Sequence, residues 1–344
     1  MSLIAAIALL RAGEGRPLPP SASVWSRRSR GSVRGMAGGS DSGGAILAAF
    51  LANVGIAIAK FVGFLVTGSS SMLAEAVHSV ADSGNQGLLA LGGRRARRAA
   101  TPLHPFGYGR ARYFWAFIVA VVLFSLGGLF SLYEGYHKLS DPHDVDSPIV
   151  AFVILGAAIV FEAFALRTAV RHSRPELDGR TWVQYIRTSR SPELPVLLLE
   201  DSAALMGLFF AVGGIALALI TGDPVFDGIG TLAIGVLLVG VAIVLALEMS
   251  SLLMGESATP DELARIEAAL TEGREVRRLI HMATQHLGPD ELLVGAKVEF
   301  DSALSVQELA TAINAAEVRV RAAVPAATVL YIEPDVADPA IVDA

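Results

Sequence analysis

Between residues 44 and 254 the chain returns six times to apolar stretches, at about 44–67, 72–92, 113–136, 148–170, 194–220 and 226–254. Each is near or above the roughly 20 residues that a helix needs to cross the hydrocarbon core of a bilayer. A chain that is 53% hydrophobic and 17% charged is too apolar for an ordinary water-soluble domain. The expected fold class is an α-helical membrane protein: six transmembrane helices, followed by a small cytoplasmic α+β domain.

The links between the stretches alternate in charge. Arg94, Arg95, Arg97, Arg98, Arg110 and Arg112 separate the second and third. Arg171, Arg174, Arg180, Arg187 and Arg190 separate the fourth and fifth. The 67–71 link is uncharged, the third-to-fourth link carries Asp141, Asp144 and Asp146, and the fifth-to-sixth is Thr221-Gly222-Asp223-Pro224. An excess of arginine marks cytoplasmic loops, which places both arginine-rich links and both termini inside. Three lysines against 24 arginines, with abundant Ala and Gly, point to a GC-rich bacterial genome and so to a bacterial plasma membrane. A net charge of −6 argues against a nucleic-acid partner, and the absence of cysteine excludes disulfides and thiolate ligands.

Residues 1–43 read as a disordered arm, since 12–43 are rich in Gly, Ser, Pro and Arg. Leu3–Leu10 lacks a positive n-region and makes a poor signal peptide. Met36 offers a start close to the first span, so 1–35 are expected to be a dispensable arm or to lie upstream of the true start. An Arg- and Ser-rich transit peptide is the third alternative.

The 44–254 transport region gives way to a different pattern after Gly255. Thr259-Pro260-Asp261-Glu262 and Ser305-Val306-Gln307-Glu308 are capping boxes. Leu263, Ile266 and Leu270 form one helical stripe; Leu309, Ala312, Ile313, Ala316 and Val320 form another. Val294, Ala296, Val298 and Phe300 alternate with polar residues as in a half-buried strand. With Val276–His286 and Thr328–Ile332 as further strands, 257–334 read α-β-β-α-β, two helices on one face of a three-stranded sheet, and 335–344 as a tail. Residues 257–344 hold 15 acidic and 7 basic side chains.

The second apolar stretch is unlike the others. Glu75, His78 and Asp82 fall within roughly 60° of one another on an ideal helix and form one polar stripe, which Asn85 extends by a turn. An ionisable group in a bilayer costs about 2.5–3.5 kcal/mol on insertion scales, so such groups carry partners or a function. His78 and Asp82, at i and i+4, can bind one divalent cation; a polar helix–helix contact is the alternative. Counting from Gly68, Lys60 and Glu75 lie at the same depth, roughly 10–12 Å in at 1.5 Å per residue, and are expected to pair. His78 and Asp82 lie deeper, without an evident partner on the first span. The fifth span brings Glu200 and Asp201. Asp201 is expected to face His78 and Asp82, with Glu200 the weaker candidate and Asn85 an outer partner; a simple interfacial acid pair is the alternative. Glu134, Glu162, Asp227 and Glu248 lie near span ends or stand singly.

Thr67-Gly68-Ser69-Ser70-Ser71-Met72-Leu73-Ala74-Glu75-Ala76-Val77-His78-Ser79-Val80-Ala81-Asp82 and His104-Pro105-Phe106-Gly107-Tyr108-Gly109-Arg110 resemble signature segments of the cation diffusion facilitator family of divalent-metal transporters. The resemblance covers about residues 44–334. It implies six spans and a ferredoxin-like cytoplasmic tail that joins a homodimer. It also implies four ligands, a His/Asp-x-x-x-Asp pair from each of the second and fifth spans, and exchange of metal for protons. His78, Asp82 and Asp201 match that pattern, but Leu197 stands where the fourth ligand belongs. The Glu-Asp-x-Ala-Ala form of the fifth span resembles a divergent branch that includes mitochondrial zinc exporters. Family tails often bind zinc; here His281 and His286, five residues apart, fall on opposite strand faces.

The expected function is secondary transport: export of Zn²⁺, or of Mn²⁺, Fe²⁺ or Co²⁺, by proton antiport, with the metal as substrate and no permanent cofactor. The alternative is a metal-responsive sensor or anchor that binds without transporting. No nucleophile motif or metalloprotease Glu-x-x-His partner appears, so an enzyme is not expected.

Overall fold

The computed structural model describes residues 41–177 and 179–336, with side chains from Val54 onward. The expectations for residues 1–40 and for the end of the tail, 337–344, lie outside the described residues. Among the described residues, the α-helices up to Met254 are α1 (Asp41–Thr67), α2 (Ser70–Ala96), α3 (Ala111–Ser140), α4 (Pro148–Ser173), α5 (Trp182–Thr188), α6 (Glu193–Thr221) and α7 (Val225–Met254).

Of the six expected spans, the helices containing α3, α4, α6 and α7 are long and apolar enough to cross a membrane. In α2, 27 residues long, the limit is composition: the stripe of Glu75, His78, Asp82 and Asn85 and the terminal arginines dilute an otherwise apolar helix. For α1 the described apolar part begins at Val54. The outer surfaces are apolar, with Leu65, Val153, Phe164, Leu217 and Leu247 all exposed. In water such a surface would be an association liability; in lipid it is the surface a helical bundle requires.

The bundle interior is built from small residues. Gly128 and Gly135 of α3 and Gly235 of α7 sit where an added Cβ would meet backbone atoms of the other helix at 2.8–3.0 Å, so α3 and α7 touch main chain to main chain. Midway along α3, Leu123–Leu129 winds as a π-helix around the Gly127-Gly128 pair.

The links sort to two ends. At the low-charge end, Asp146 N–H donates to Thr67 O at 2.8 Å, and Asp227 of α7 receives the start of α2. Ser69 Oγ donates to Asp227 Oδ1 at 2.9 Å, and Ser70 N–H to Oδ2 at 3.0 Å; Ser70 and Ser71 reach Thr231 Oγ1 at 2.9 and 3.0 Å. The serine run is thus a clamp in which one buried carboxylate accepts a free N–H of a helix N-terminus together with serine hydroxyls. At the arginine-rich end, Arg112 reaches Glu193 and Asp290, each at 3.4 Å, and Arg190 pairs with Glu256. The arginine-rich fourth-to-fifth link contains α5, capped by a Thr181–Gln184 box.

The C-terminal unit follows the expected order, with α8 (Pro260–Thr271), β1 (Val276–Gly288), β2 (Glu291–Phe300), α9 (Val306–Ala323) and β3 (Ala327–Pro334). Both capping boxes form, at Thr259–Glu262 and Ser305–Glu308. The sheet order is β1-β2-β3, with β1 antiparallel and β3 parallel to β2. Leu292, Val294, Ala296, Val298 and Phe300 point from β2 into a core shared with Ile266, Leu270, Ala312, Ala316 and Val320. His281 is exposed and His286 buried, so the two do not converge.

Removing the clamp carboxylate has a defined cost. Asp227→Ala deletes a helix cap, worth about 1–2 kcal/mol, and leaves the buried Lys138 ammonium, 4.0 Å away, without a counter-charge. The variant is expected to unfold at a clearly lower temperature in detergent than wild type. Asp227→Asn, which keeps one acceptor, should fall between them.

Candidate metal centre

In the polar stripe of α2, Glu75, His78 and Asn85 are buried and Asp82 is half-buried, and its members divide into two sets. In the first, Lys60 Nζ of α1 donates to Glu75 Oε2 at 2.9 Å and to Ser79 Oγ at 2.8 Å, with Lys60 and Glu75 fully enclosed. This is the pair expected from depth counting. Glu75 gains its space from α6: a Cβ on Gly207 would lie 2.5 Å from Glu75 Oε1. That oxygen has no hydrogen-bond partner, so the carboxylate is held by Lys60 alone.

The second set is left open. His78 Nε2 stands 3.5 Å from Asp82 Oδ2, the one-turn separation the spacing predicts. Neither ring nitrogen of His78 has a hydrogen-bond partner, and neither does Asp82 Oδ1 or Asn85 Oδ1. Buried polar atoms are nearly always satisfied, so four unpartnered ones within about two turns of one helix set this part of the stripe apart. Beside His78 lies the π-helical part of α3, where a Cβ on Gly127 would be 3.7 Å from His78 Nδ1.

The α6 carboxylates divide by direction. Glu200 is buried and accepts a hydrogen bond from Asn85 Nδ2 at 2.7 Å, which ties α6 to the stripe of α2. Gly207, against Glu75, is seven residues further along α6 and about 20° away in azimuth, so Glu200 shares the α2-facing side. Asp201 is half-buried and turned about 100° from Glu200, with Glu162 of α4 and Asp82 of α2 as its charged neighbours. Leu197, one turn before Asp201, packs with Leu166 and Val170 of α4 and Ile186 of α5. Glu200, and not Asp201, makes the hydrogen bond to α2. Among the described residues no three His, Asp or Glu side chains converge closely enough to enclose one ion. The stripe of α2 thus meets α6 through Asn85 and Glu200, with Asp201 to one side.

Sequence reasoning missed the role of Asp227, whose partners lie more than 150 residues away in the chain. The serine run was the available signal, since three consecutive hydroxyls at a helix start need an acceptor.

A helical membrane protein with unsatisfied imidazole and carboxylate groups inside its bundle belongs to the class that handles cations within the bilayer. The family model for the cation efflux transmembrane domain matches residues 46–254. The chain belongs to this family, the cation diffusion facilitators, whose members are transporters. It is 35% identical over 244 residues to the proton-coupled zinc antiporter SLC30A9, mitochondrial, of Homo sapiens, covering 70% of this chain and 43% of that protein. It is 31% identical over 250 residues to metal tolerance protein C4 of Arabidopsis thaliana, covering 72% of this chain and 55% of the relative. Magnetosome protein MamB of Magnetospira sp. (strain QH-2) is 25% identical over 248 residues, covering 70% and 78%. The chain thus matches less than half the length of the zinc antiporter.

The buried ion pair predicts an asymmetric response to mutation. Lys60→Met or Glu75→Gln alone should destabilise by about 3–5 kcal/mol, because each strands a buried charge or its partner. The double variant should recover part of that loss, giving a coupling energy in a thermal or denaturant double-mutant cycle. Additive losses would show that the two side chains do not act as a pair.

Proposed function

We propose that this chain is a secondary transporter that exports divalent cations, most readily Zn²⁺, in exchange for protons. The observation that carries this reading is the buried, unpartnered His78–Asp82 pair inside a cation efflux bundle. Imidazole with carboxylates suits Zn²⁺, and less selectively Mn²⁺, Fe²⁺ or Co²⁺. His78 and Asp82 supply the α2 half of the site, and Glu200 and Asp201 the α6 half. Asn85 orients Glu200 as an outer partner. Ligands bind metal only when deprotonated, so a proton arriving at the same groups displaces the ion, and the two cargoes compete. Alternating access then follows from movement of helices around a central site.

The proposed topology has six spans, with both termini and the arginine-rich links in the cytoplasm, and a homodimer joined through the C-terminal units. The sorting of arginine-rich and low-charge links to opposite ends of the bundle supports it.

The test is metal flux into proteoliposomes under an imposed pH gradient, comparing Zn²⁺, Mn²⁺, Fe²⁺ and Co²⁺. Wild type should move zinc and respond to the gradient. Asp82→Ala should fall to the level of empty vesicles at equal protein content. Metal binding without flux would favour a sensor instead.

Within the same assay, Glu200→Gln is expected to reduce flux more than Asp201→Asn, because Glu200 is the acid turned toward α2. Asn85→Ala should reduce zinc affinity by about 10-fold, the lower range for loss of an outer partner. Flux more sensitive to Asp201→Asn would assign the principal α6 ligand to Asp201.

A further inference from the structure

The arginine-rich end holds a cavity of about 790 Å³ that the transport reading does not use. Its walls come from three parts of the chain: the end of α2 with the following loop and the start of α3, the end of α7 at Leu253, and the strands β1 and β2. Arg95, Arg98 and Arg110 line it together with Phe114 and Trp115.

Among the described residues the three arginines of the wall form no ion pair, although the Glu291 carboxylate lies against the loop at Gly109. Of the six arginines around this loop only Arg112 meets carboxylates, Glu193 and Asp290, among the described residues. Arg110 Nε is buried without a hydrogen-bond partner. Arg95 stacks over the Trp115 ring at 5.1 Å, which holds the guanidinium at the wall by a cation–π contact. The second feature is apolar. Phe114, one turn into α3, is exposed on the bundle surface, as is Leu103 in the loop. The cavity thus joins a cluster of free guanidinium groups to the apolar flank of the bundle. A soluble anion has use for the first feature only; an anionic amphiphile fits both.

We propose that this cavity binds the phosphate headgroup of an anionic phospholipid, with Arg95, Arg98 and Arg110 on the phosphate and the acyl chains along Phe114 and Trp115. Because β1 and β2 contribute Gln285, Leu287 and Leu293 to the wall, the bound headgroup also ties the C-terminal unit to the bundle. The inference rests on the membrane reading and is independent of whether the protein transports metal.

The experiment uses the full chain in detergent, titrated with phosphatidylglycerol, phosphatidylcholine or inorganic phosphate. The readouts are thermal unfolding and lipid retained in native mass spectrometry. Phosphatidylglycerol should raise the unfolding temperature and remain bound, while the other two do neither. At about 1 kcal/mol per arginine, Arg98→Ala/Arg110→Ala should weaken phosphatidylglycerol binding about 30-fold. Arg94→Ala/Arg97→Ala, outside the cavity, should bind as wild type does. Equal effects of phosphatidylcholine would overturn the proposal, as would equal effects of free phosphate, which would make this a soluble-anion site. An undiminished response in Arg98→Ala/Arg110→Ala would also overturn it. If that variant does not fold, the wild-type comparison of the three ligands still decides. Loss of lipid binding with intact zinc flux rejects this site and leaves the transport reading standing; retained lipid with no flux does the reverse.

Discussion

The Lys60–Glu75 ion pair is the contact on which the arrangement of α2 depends. A helix carrying a glutamate, a histidine and an aspartate on one face cannot lie in an apolar bundle unless some of that charge is answered. Lys60 answers the charge of Glu75 from the neighbouring helix and Ser79 shares the ammonium, although Glu75 Oε1 keeps no hydrogen-bond partner. The pair also fixes register: α1 and α2 can slide only by breaking two buried bonds. What remains unanswered lies one turn deeper, at His78 and Asp82. The fold therefore distinguishes two polar pairs on a single helix face, by placing a lysine against the first and leaving atoms of the second without hydrogen-bond partners.

Much of this was legible in the sequence because helix geometry is local. Spacing alone set His78 and Asp82 on one face, and counting from Gly68 levelled Lys60 with Glu75. The capping boxes at Thr259 and Ser305 were readable for the same reason: each is closed within four residues. The alternation in β2 identified its buried face before any partner strand was known. The order α-β-β-α-β of the C-terminal unit followed from those signals.

What stayed hidden was non-local. Asp227 reads in sequence as a lone acid near a span end, and only the folded chain brings it to the serines of α2. The directions of Glu200 and Asp201 relative to α2 were hidden for a related reason. Sequence gives the azimuth of each acid on its own helix, not the direction of the neighbouring helix. Leu197, standing where the resemblance calls for a ligand, was the clue: its face of α6 packs among Leu166, Val170 and Ile186, and Asp201 follows it one turn later. The π-helical turn of α3 had no signal beyond the Gly127-Gly128 pair.

The two ends of the bundle are held by different kinds of contact, and this bears on which end opens more easily. At the low-charge end the start of α2 is bound to Asp227 by buried hydrogen bonds, with Lys138 enclosed beside them. Separating α2 from α7 there would strand a carboxylate and an ammonium in an apolar interior, and partly satisfied buried networks are costly. At the other end the ties are Arg112 to Glu193 and Asp290, and Arg190 to Glu256, all partly exposed. Water replaces such partners readily, and exposed pairs contribute about 0–1 kcal/mol each. Opening at the arginine-rich end therefore breaks partly exposed ion pairs and the buried Asn85–Glu200 hydrogen bond, and leaves the Asp227 network intact. His78 and Asp82 lie between the two, so a path from the arginine-rich side reaches them without breaking the serine clamp, while a path from the opposite side must first release Asp227.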